Sequence, residues 1–279
     1  MNCMPKILVP VDFSPTSLNA SIYAAHFAKA INAKQITLLS VVSESITGSD
    51  GTPVGGDTDE RDRAVMHQLE ALQVSLYEMV GLPTAIELRA GEFSSLLSQF
   101  MKQHTFDFVV MGVTGSSLLE QVFGTSNAVD IIARTSTPVL VVPPNANFNG
   151  IDNVALAVEL HNMDEKLPFS ELDKWLHWLK PKVHLAHVNK GNTSVLNEEE
   201  QNELDKLKER LLLFEPRTHL LHGESFTHAL NQMAIDYSVD LLFTFPQKHS
   251  FFDLLFRTSH TKKLVFQSDV PVLALPHAG

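Results

Sequence analysis

The chain repeats itself, and this repeat constrains its fold more than any other feature of the sequence. Asp107 is matched by Asp240, and Pro138 is matched by Pro271, at the same separation of 133 positions (240 − 107 and 271 − 138). The block between these residues therefore carries no gap. Identical pairs in and just beyond the block are Ser117/Ser250, Phe123/Phe256, Thr125/Thr258, Ser126/Ser259, Val139/Val272, Leu140/Leu273 and Pro143/Pro276. In a chain of 279 residues, this pattern predicts two copies of one unit.

Short apolar runs alternate with amphipathic stretches in the first copy. The run 7–11 is apolar at consecutive positions, which indicates a strand buried on both faces of a parallel sheet. Ser14 followed by Pro15 is a helix N-cap with proline at the first helical position. We expect strands at 7–11, 35–42, 84–89, 106–111 and 139–142, helices after Ser14, at 60–79, around 96–101 and at 127–133, and a long surface loop at 43–59.

The same alternation begins again after a polar, turn-rich linker at 145–150. We expect strands at 154–158, 183–188, 241–245 and 272–275, with helices around 175–179 and 204–213. The sequence thus predicts an N-terminal domain at 1–146 and a C-terminal domain at 151–279. Each is expected to be a doubly wound α/β domain of Rossmann-like or flavodoxin-like strand order, with a mainly parallel five-stranded sheet and helices on both faces. The last strand of each copy would lie at a sheet edge, where the two copies could join.

Composition excludes several classes of protein. Hydrophobic residues make up 44% and charged residues 19% of the chain, which is typical of a globular protein. A net charge of −11 without a strong basic cluster argues against a nucleic-acid partner. Cys3 is the single cysteine, so no internal disulfide can form. The sequence shows no signal peptide and no apolar run long enough to span a membrane, and we expect a cytoplasmic protein.

The candidate site lies where the strands of the first copy end. Ligands of open parallel sheets bind outside the carboxyl ends of the strands, where the connections diverge to opposite faces. Asp12, Val41 and Gly112 stand at such ends. A site of this kind could hold an adenine nucleotide. Asp12 would then form a hydrogen bond with the nucleoside, and the Val41 backbone would contact the edge of the base. Two glycine turns would hold the phosphates, with Gly112 and Gly115 in the first and Gly124, Thr125 and Ser126 in the second.

Each of these residues also has a purely structural interpretation. Asp12 could cap the loop before Ser14, and Gly112 and Gly115 could be turn glycines. Thr125 and Ser126 could serve only as the N-cap of their helix. The combination favours a binding site more than any single residue does.

Longer motifs give the chain a resemblance to a known family. They are the segments 7–14, 38–41 and 110–115, and the helix from Ser126 that leads to 138–143. Both halves resemble a tandem universal stress protein over nearly their whole length. The nucleotide-binding branch of that family has the pattern Gly-x2-Gly-x9-Gly-Ser/Thr, which implies bound ATP, with AMP or ADP as alternatives and Mg²⁺ as a candidate companion. The implied binding residues are Pro10, Val11, Asp12, Val41, Met111, Gly112, Gly115, Gly124, Thr125 and Ser126.

The chain departs from this pattern at the third glycine. Gly124 comes one position early, which puts Thr125 at the place of the glycine and Ser126 at the place of the Ser/Thr. A β-branched residue is unfavourable in a turn that needs positive φ. Either Gly124 takes over through a shifted loop, or phosphate binding is weakened.

The second copy departs further from the family pattern. Glu159 aligns with Asp12, while Phe245, Lys248 and Arg257 align with Gly112, Gly115 and Gly124, so we expect no ATP there. Basic side chains around this segment could suit another anion or could form a solvated loop and helix end: Lys248, His249, Arg257, His260, Lys262 and Lys263. Two further pairs, His184/His187 and His219/His222, are interpreted as ordinary surface or loop histidines, because residues three apart on a strand face opposite sides.

Three kinds of function remain open from the sequence. The protein could be a nucleotide-binding stress-response regulator or scaffold, a weak ATP hydrolase, or a nucleotide-free interaction protein. Asp12 is the one acid placed at the mouth, and it is expected near the nucleoside, so hydrolysis is the weaker interpretation. The sequence assigns no catalytic or metal-binding residue. The expected partners are the nucleotide and a protein that the sequence does not identify, in an intrachain pseudo-dimer that is also a candidate homodimer.

Overall fold

A computed structural model describes residues 4–43, 46–47, 53–54, 58–113, 127–188, 195–221, 226–246 and 270–276. The chain divides into two compact units, Met1–Gly112 and Val113–Gly279. Each unit is a mixed α/β structure. These two units do not test the domain boundary predicted between residues 146 and 151, which stays a prediction.

The first unit alternates strands and helices as the sequence predicts. Most element ends agree with the prediction to within two residues. The expected loop 43–59 differs, since it contains a short antiparallel pair of strands. The elements are β1 (Lys6–Pro10), α1 (Pro15–Ala30), β2 (Gln35–Val42), β3 (Ile46–Thr47), β4 (Pro53–Val54), α2 (Thr58–Val80), β5 (Thr84–Ala90), α3 (Phe93–Gln103) and β6 (Phe108–Gly112).

The main sheet of the first unit has the order β6-β1-β2-β5, and its strands are parallel. Ile7 pairs with Phe108 on one side and with Ile36 on the other. The chain therefore leaves β1 toward β2 and β5, and α3 brings it back to the opposite side of β1. This reversal places a topological switch point between β1 and β6.

Helices cover both faces of this sheet. Phe27 of α1 meets Phe108 of β6 edge-on, with ring centroids 5.8 Å apart. On the other face, the Arg89 guanidinium of β5 lies 5.8 Å from the Phe100 ring centroid of α3. Because registered residues of parallel strands share a face, the pairing of the strands puts Phe108 and Arg89 on opposite sides.

The second unit contains the remaining elements. They are α4 (Asn127–Arg134), β7 (Val139–Val142), β8 (Asn153–Val158), α5 (Met163–Lys166), α6 (Phe169–Leu179), β9 (Lys182–Val188), α7 (Glu198–Arg210), a 3-10 turn (Leu212–Phe214), β10 (Arg217–Leu221), α8 (Phe226–Asp236), β11 (Leu241–Thr244) and β12 (Val272–Ala274). The helix predicted at 204–213 begins earlier, because Asn197 and Glu200 form a capping box at its start. The short helix α5 and the elements β10 and α8 are not among the predicted ones.

The strand order in the second unit is β10-β9-β8-β11-β12-β7. The first five strands are parallel and, counted from β8, follow the order 3-2-1-4-5, which is Rossmann-like and not flavodoxin-like. Strand β7 joins β12 in antiparallel fashion, with Leu140 opposite Leu273. The prediction that the last strands of the two copies pair is therefore confirmed.

Phe27 tests the packing of α1 on the first sheet. It is fully buried, and its ring also stacks on Tyr23 at 6.3 Å. Replacing Phe27 by Ala removes both aromatic contacts and leaves a cavity, so the free energy of unfolding in urea should fall by about 3–5 kcal/mol. Lys29→Ala, at an exposed position of the same helix, is the control and should change it by less than about 0.5 kcal/mol. Equal effects of the two variants would contradict this packing.

Candidate functional site

The turn after β1 is shaped by Asp12. The Val11 N–H donates to the Leu39 carbonyl at 2.8 Å, which extends the pairing with β2 by one residue. The Ser14 N–H then donates to Asp12 Oδ1 at 3.0 Å and closes the turn. Phe13 between them has φ 61, an unusual left-handed conformation for an aromatic residue that costs roughly 1–3 kcal/mol.

Hydroxyl groups fix the start of α1 directly after this turn. The Ser17 N–H donates to Ser14 Oγ at 3.2 Å, and the Ser17 hydroxyl donates to the Ser14 carbonyl at 3.1 Å. Ser14 Oγ also lies 3.0 Å from Thr16 Oγ1. These contacts confirm Ser14 as the N-cap, with Pro15 in the first turn.

The Asp12 side chain is exposed and anionic at neutral pH. Desolvation raises its pKa, but hydrogen bonds from the side chains of Ser14 and Ser17 and from the backbone outweigh this and leave the pKa below its ordinary value of 3.8. A carboxylate of this kind accepts hydrogen bonds and is a weak base. Asp12 both caps the turn, as its structural interpretation holds, and presents an acceptor at the mouth.

Gly112 is required by packing. A Cβ atom at this position would lie 2.4 Å from the Thr16 carbonyl oxygen and 2.7 Å from its carbonyl carbon. The N-terminal turn of α1 thus approaches the end of β6 more closely than any other residue would allow. The sequence left open that Gly112 is only a turn glycine. In the structure Gly112 is the last residue of β6, and the close approach of α1 requires a glycine there.

The structure brings six of the ten predicted binding residues to one edge of the first sheet. Pro10 is the last residue of β1 and Val11 follows it, Met111 is the last residue but one of β6, and Val41 lies near the end of β2. With Asp12 and Gly112 they occupy the carboxyl ends of three adjacent parallel strands. Val11 and Met111 are buried, so they form the floor of this edge. The other four predicted residues lie outside the described part of the chain: Gly115, Gly124, Thr125 and Ser126.

Arg89 is a neighbour of this edge that sequence reasoning missed. It pairs in register with Val41, and its Nη2 lies 2.9 Å from Glu87 Oε2. The side chain is half exposed. The alternating pattern of residues in β5 could have indicated that Arg89 and Glu87 share a face with Val41.

The equivalent edge of the second unit is occupied by its own side chains. Glu159, which aligns with Asp12, lies 3.3 Å from the Lys166 ammonium. Glu203 of α7 accepts hydrogen bonds from the Met163 N–H at 2.9 Å and from Lys206 at 3.0 Å. Phe245, in the place of Gly112, is buried. In the second unit, ion pairs and an aromatic residue therefore occupy the edge at which the first unit has the Asp12 turn and Gly112.

His184 and His187 of the second unit are not ordinary surface residues. His184 and His187 are only 2% and 5% exposed on β9, which corrects the sequence-based expectation. They do face opposite sides: His184 lies beside His219, and His187 Nε2 lies 3.9 Å from Glu200 of α7. Strand pairing across the sheet buries them, and spacing along one strand could not indicate this. His222 lies outside the described residues, as do Lys248, His249, Arg257, His260, Lys262 and Lys263.

The described residues lack two kinds of feature. They contain no group of three or more His, Cys, Asp or Glu side chains suited to a metal ion. In the same part of the chain, none of the helices has both the length and the apolar character needed to cross a bilayer.

The strand order and the open edge at a switch point define a Rossmann-like α/β protein. The model of the universal stress protein family matches residues 4–143, half of the chain. The chain therefore belongs to the universal stress protein family. This agrees with the resemblance seen in the sequence motifs.

One relative is similar to this chain in sequence, and two solved structures are similar to it in fold. Universal stress protein MJ0531 of Methanocaldococcus jannaschii is 28% identical over 144 residues, which cover 50% of this chain and 83% of that protein. A universal stress protein from Archaeoglobus fulgidus shares the fold at a TM-score of 0.74 and 16% identity, over 98% of this chain and 97% of its own. A structure described as a putative universal stress protein, from Pseudomonas aeruginosa UCBPP-PA14, has a TM-score of 0.62 and 10% identity. The match covers 99% of this chain and 94% of that protein.

The close approach at Gly112 gives a direct test of this edge. Gly112→Ala should lower the free energy of unfolding by about 1–3 kcal/mol, because the new methyl group meets the backbone of α1 and one of the two elements must move. Urea unfolding measures the change. Thr16→Ala in the same chain should not rescue stability, since the obstructing atom is a backbone oxygen. A full rescue would show that the contact is made by the Thr16 side chain.

Proposed function

We propose that this protein is a stress-response regulator that binds an adenine nucleotide, ATP or its di- or monophosphate, in the first of two tandem copies. The observation that carries the proposal is the exposed, anionic Asp12 at the switch point between β1 and β6. Open α/β sheets bind ligands at such points. The membership of the chain in the universal stress protein family supports the same function.

The chemistry of Asp12 suits a nucleoside. Ribose hydroxyl groups are donors, and a carboxylate held in its charged form is a strong acceptor. Asp12 Oδ1 accepts the Ser14 N–H, and the side chain is exposed, so a ribose hydroxyl group can reach the carboxylate from solvent. The half-buried Val41, two strands from β6, offers backbone groups for the base edge.

The first unit is favoured over the second because of what fills each edge. In the second unit, the Glu159 carboxylate is engaged by Lys166, and Glu203 ties α7 to the start of α5. A nucleotide there would have to displace ion pairs and a buried phenylalanine. We therefore propose that the second copy is a structural partner, joined to the first through β7 and β12 as an intrachain pseudo-dimer.

Regulation is favoured over hydrolysis by the low pKa of Asp12. A general base works best when its pKa lies near the working pH, and hydrogen bonds keep the pKa of Asp12 below 3.8. We infer that any ATP hydrolysis by this chain is slow, and that Mg²⁺, where present, enters with the phosphates of the nucleotide.

A pair of matched variants tests the site. Asp12→Asn should weaken ATP and AMP binding by about 10- to 100-fold, because a hydrogen bond to a charged acceptor contributes about 1.5–3 kcal/mol. Glu159→Gln changes the aligned residue of the second copy and should leave both affinities unchanged. Isothermal titration calorimetry at neutral pH measures these constants. Equal losses in the two variants would contradict the assignment of the site to the first copy.

A further inference from the structure

Two histidines on adjacent strands of the second unit form a direct hydrogen bond. His184 Nδ1 on β9 lies 2.9 Å from His219 Nε2 on β10. The two rings are nearly parallel, at 24°, and their centroids are 5.1 Å apart. This centroid separation is close to the N···N distance plus the two ring radii, so the bond runs nearly in line with both rings. Each facing nitrogen is thus aimed at the other.

Two neighbouring parts of the second unit, Tyr237 and β8, lie beside the pair. Tyr237, which follows α8, lies over both rings, with centroids 4.3 Å from His219 and 5.2 Å from His184. On β8 the residue in register with His184 is Ala155, which is uncharged. His184 is 2% exposed and His219 is half-buried on the edge strand.

The charged side chains that shift the pKa values of the pair, other than the two histidines themselves, are cationic. Lys182 stands two residues before His184 on β9, and Arg217 on β10 is in register with His184. Asp236, at the end of α8, is exposed and accepts a hydrogen bond from Gln232 at 2.8 Å. Burial, followed by His219, Arg217 and Lys182, lowers the pKa of His184 below 6.5, and burial together with Arg217 lowers the pKa of His219.

In a hydrogen bond of this geometry, only one of the two facing nitrogens can carry a hydrogen. In the neutral pair, one facing nitrogen donates and the other accepts. When both imidazoles are protonated, both facing nitrogens carry hydrogen, the bond is lost, and two like charges stand 2.9 Å apart beside Lys182 and Arg217. The same cationic surroundings disfavour a metal ion.

We propose that the His184–His219 pair is an acid-sensitive latch. It holds the edge strand β10 and the C-terminal end of α8 to the second unit, and it releases them when both imidazoles are protonated. In the strand order of this unit β10 stands first, and it pairs with β9 on one side.

The direction of the pH effect follows from the two lowered pKa values. In the released state each histidine regains a pKa near 6.5. Its contribution to the stability of the closed state is therefore fully present above that pH. This stabilising contribution is lost as the pH falls from about 6.5 toward the lower pKa that the histidine has in the closed state. Between pH 7.5 and 5, each histidine can raise the opening equilibrium by up to about 30-fold, and the two together by up to about 1,000-fold.

Hydrogen–deuterium exchange of the full-length protein tests the latch. Peptides that cover β10 should lose protection between pH 7.5 and 5, after correction for the pH dependence of exchange in an unstructured peptide, while peptides that cover β1 and β2 keep theirs. The double variant His184→Leu/His219→Phe keeps the buried volume apolar and removes both titrating groups, so its β10 protection should change less than about 3-fold. His228→Gln, an exposed position on α8, is the control and should behave like the parent.

Two results would overturn the proposal. The first is unchanged β10 protection in the parent between pH 7.5 and 5, and the second is an equal loss in the double variant. If the double variant does not fold, ¹⁵N NMR of the parent decides the question. The two imidazoles should titrate together with the β10 amide signals, and imidazoles that titrate near pH 6.5 without any change in β10 would contradict the latch.

Discussion

The contact between Gly112 and the first turn of α1 is the constraint on which the candidate site depends. The strand end and the helix start approach so closely that a single added carbon would lie 2.4 Å from a backbone oxygen. This approach fixes where α1 begins. The position of α1 in turn fixes the turn of Asp12, Phe13 and Ser14, whose left-handed residue is tolerated because the capping hydrogen bonds hold it. A nucleotide site at this edge would therefore rest on packing that exists without the ligand.

The two copies share a strand order but use its carboxyl edge differently. In the second copy Phe245 replaces the glycine, and the helix after β8 is in two pieces, α5 and α6, separated by Leu167 and Pro168. A close approach of helix and strand is not available where the strand ends in a phenylalanine. The ion pair between Lys166 of α5 and Glu159, and the hydrogen bond from the Met163 N–H to Glu203 of α7, stabilise this edge instead. The carboxyl edge of the second unit is thus occupied by its own ion pair, hydrogen bond and buried phenylalanine.

The elements of the fold follow from the sequence to a large extent, and the contacts across elements do not. Buried strands such as β2 were predicted to the residue, because a mainly apolar run with several β-branched residues, bounded by Lys34 and Ser43, leaves little choice. The strand β10, with mixed polar and apolar residues at an edge, was missed because its pattern is weak. The same limit applies to the site. Asp12 and Gly112 could be found from their places at strand ends, whereas the burial of His184 depends on a neighbour 35 residues away.

The central claim is that the first copy alone binds an adenine nucleotide, at the ends of β1, β2 and β6. Amide chemical-shift mapping of the ¹⁵N-labelled protein with ATP, and separately with AMP, tests it most directly. The account predicts saturable shifts at Val11, Asp12, Val41 and Gly112, and none at the aligned edge residues Val158, Glu159 and Val188. Shifts confined to the second copy, or no saturable shifts with either nucleotide, would contradict it.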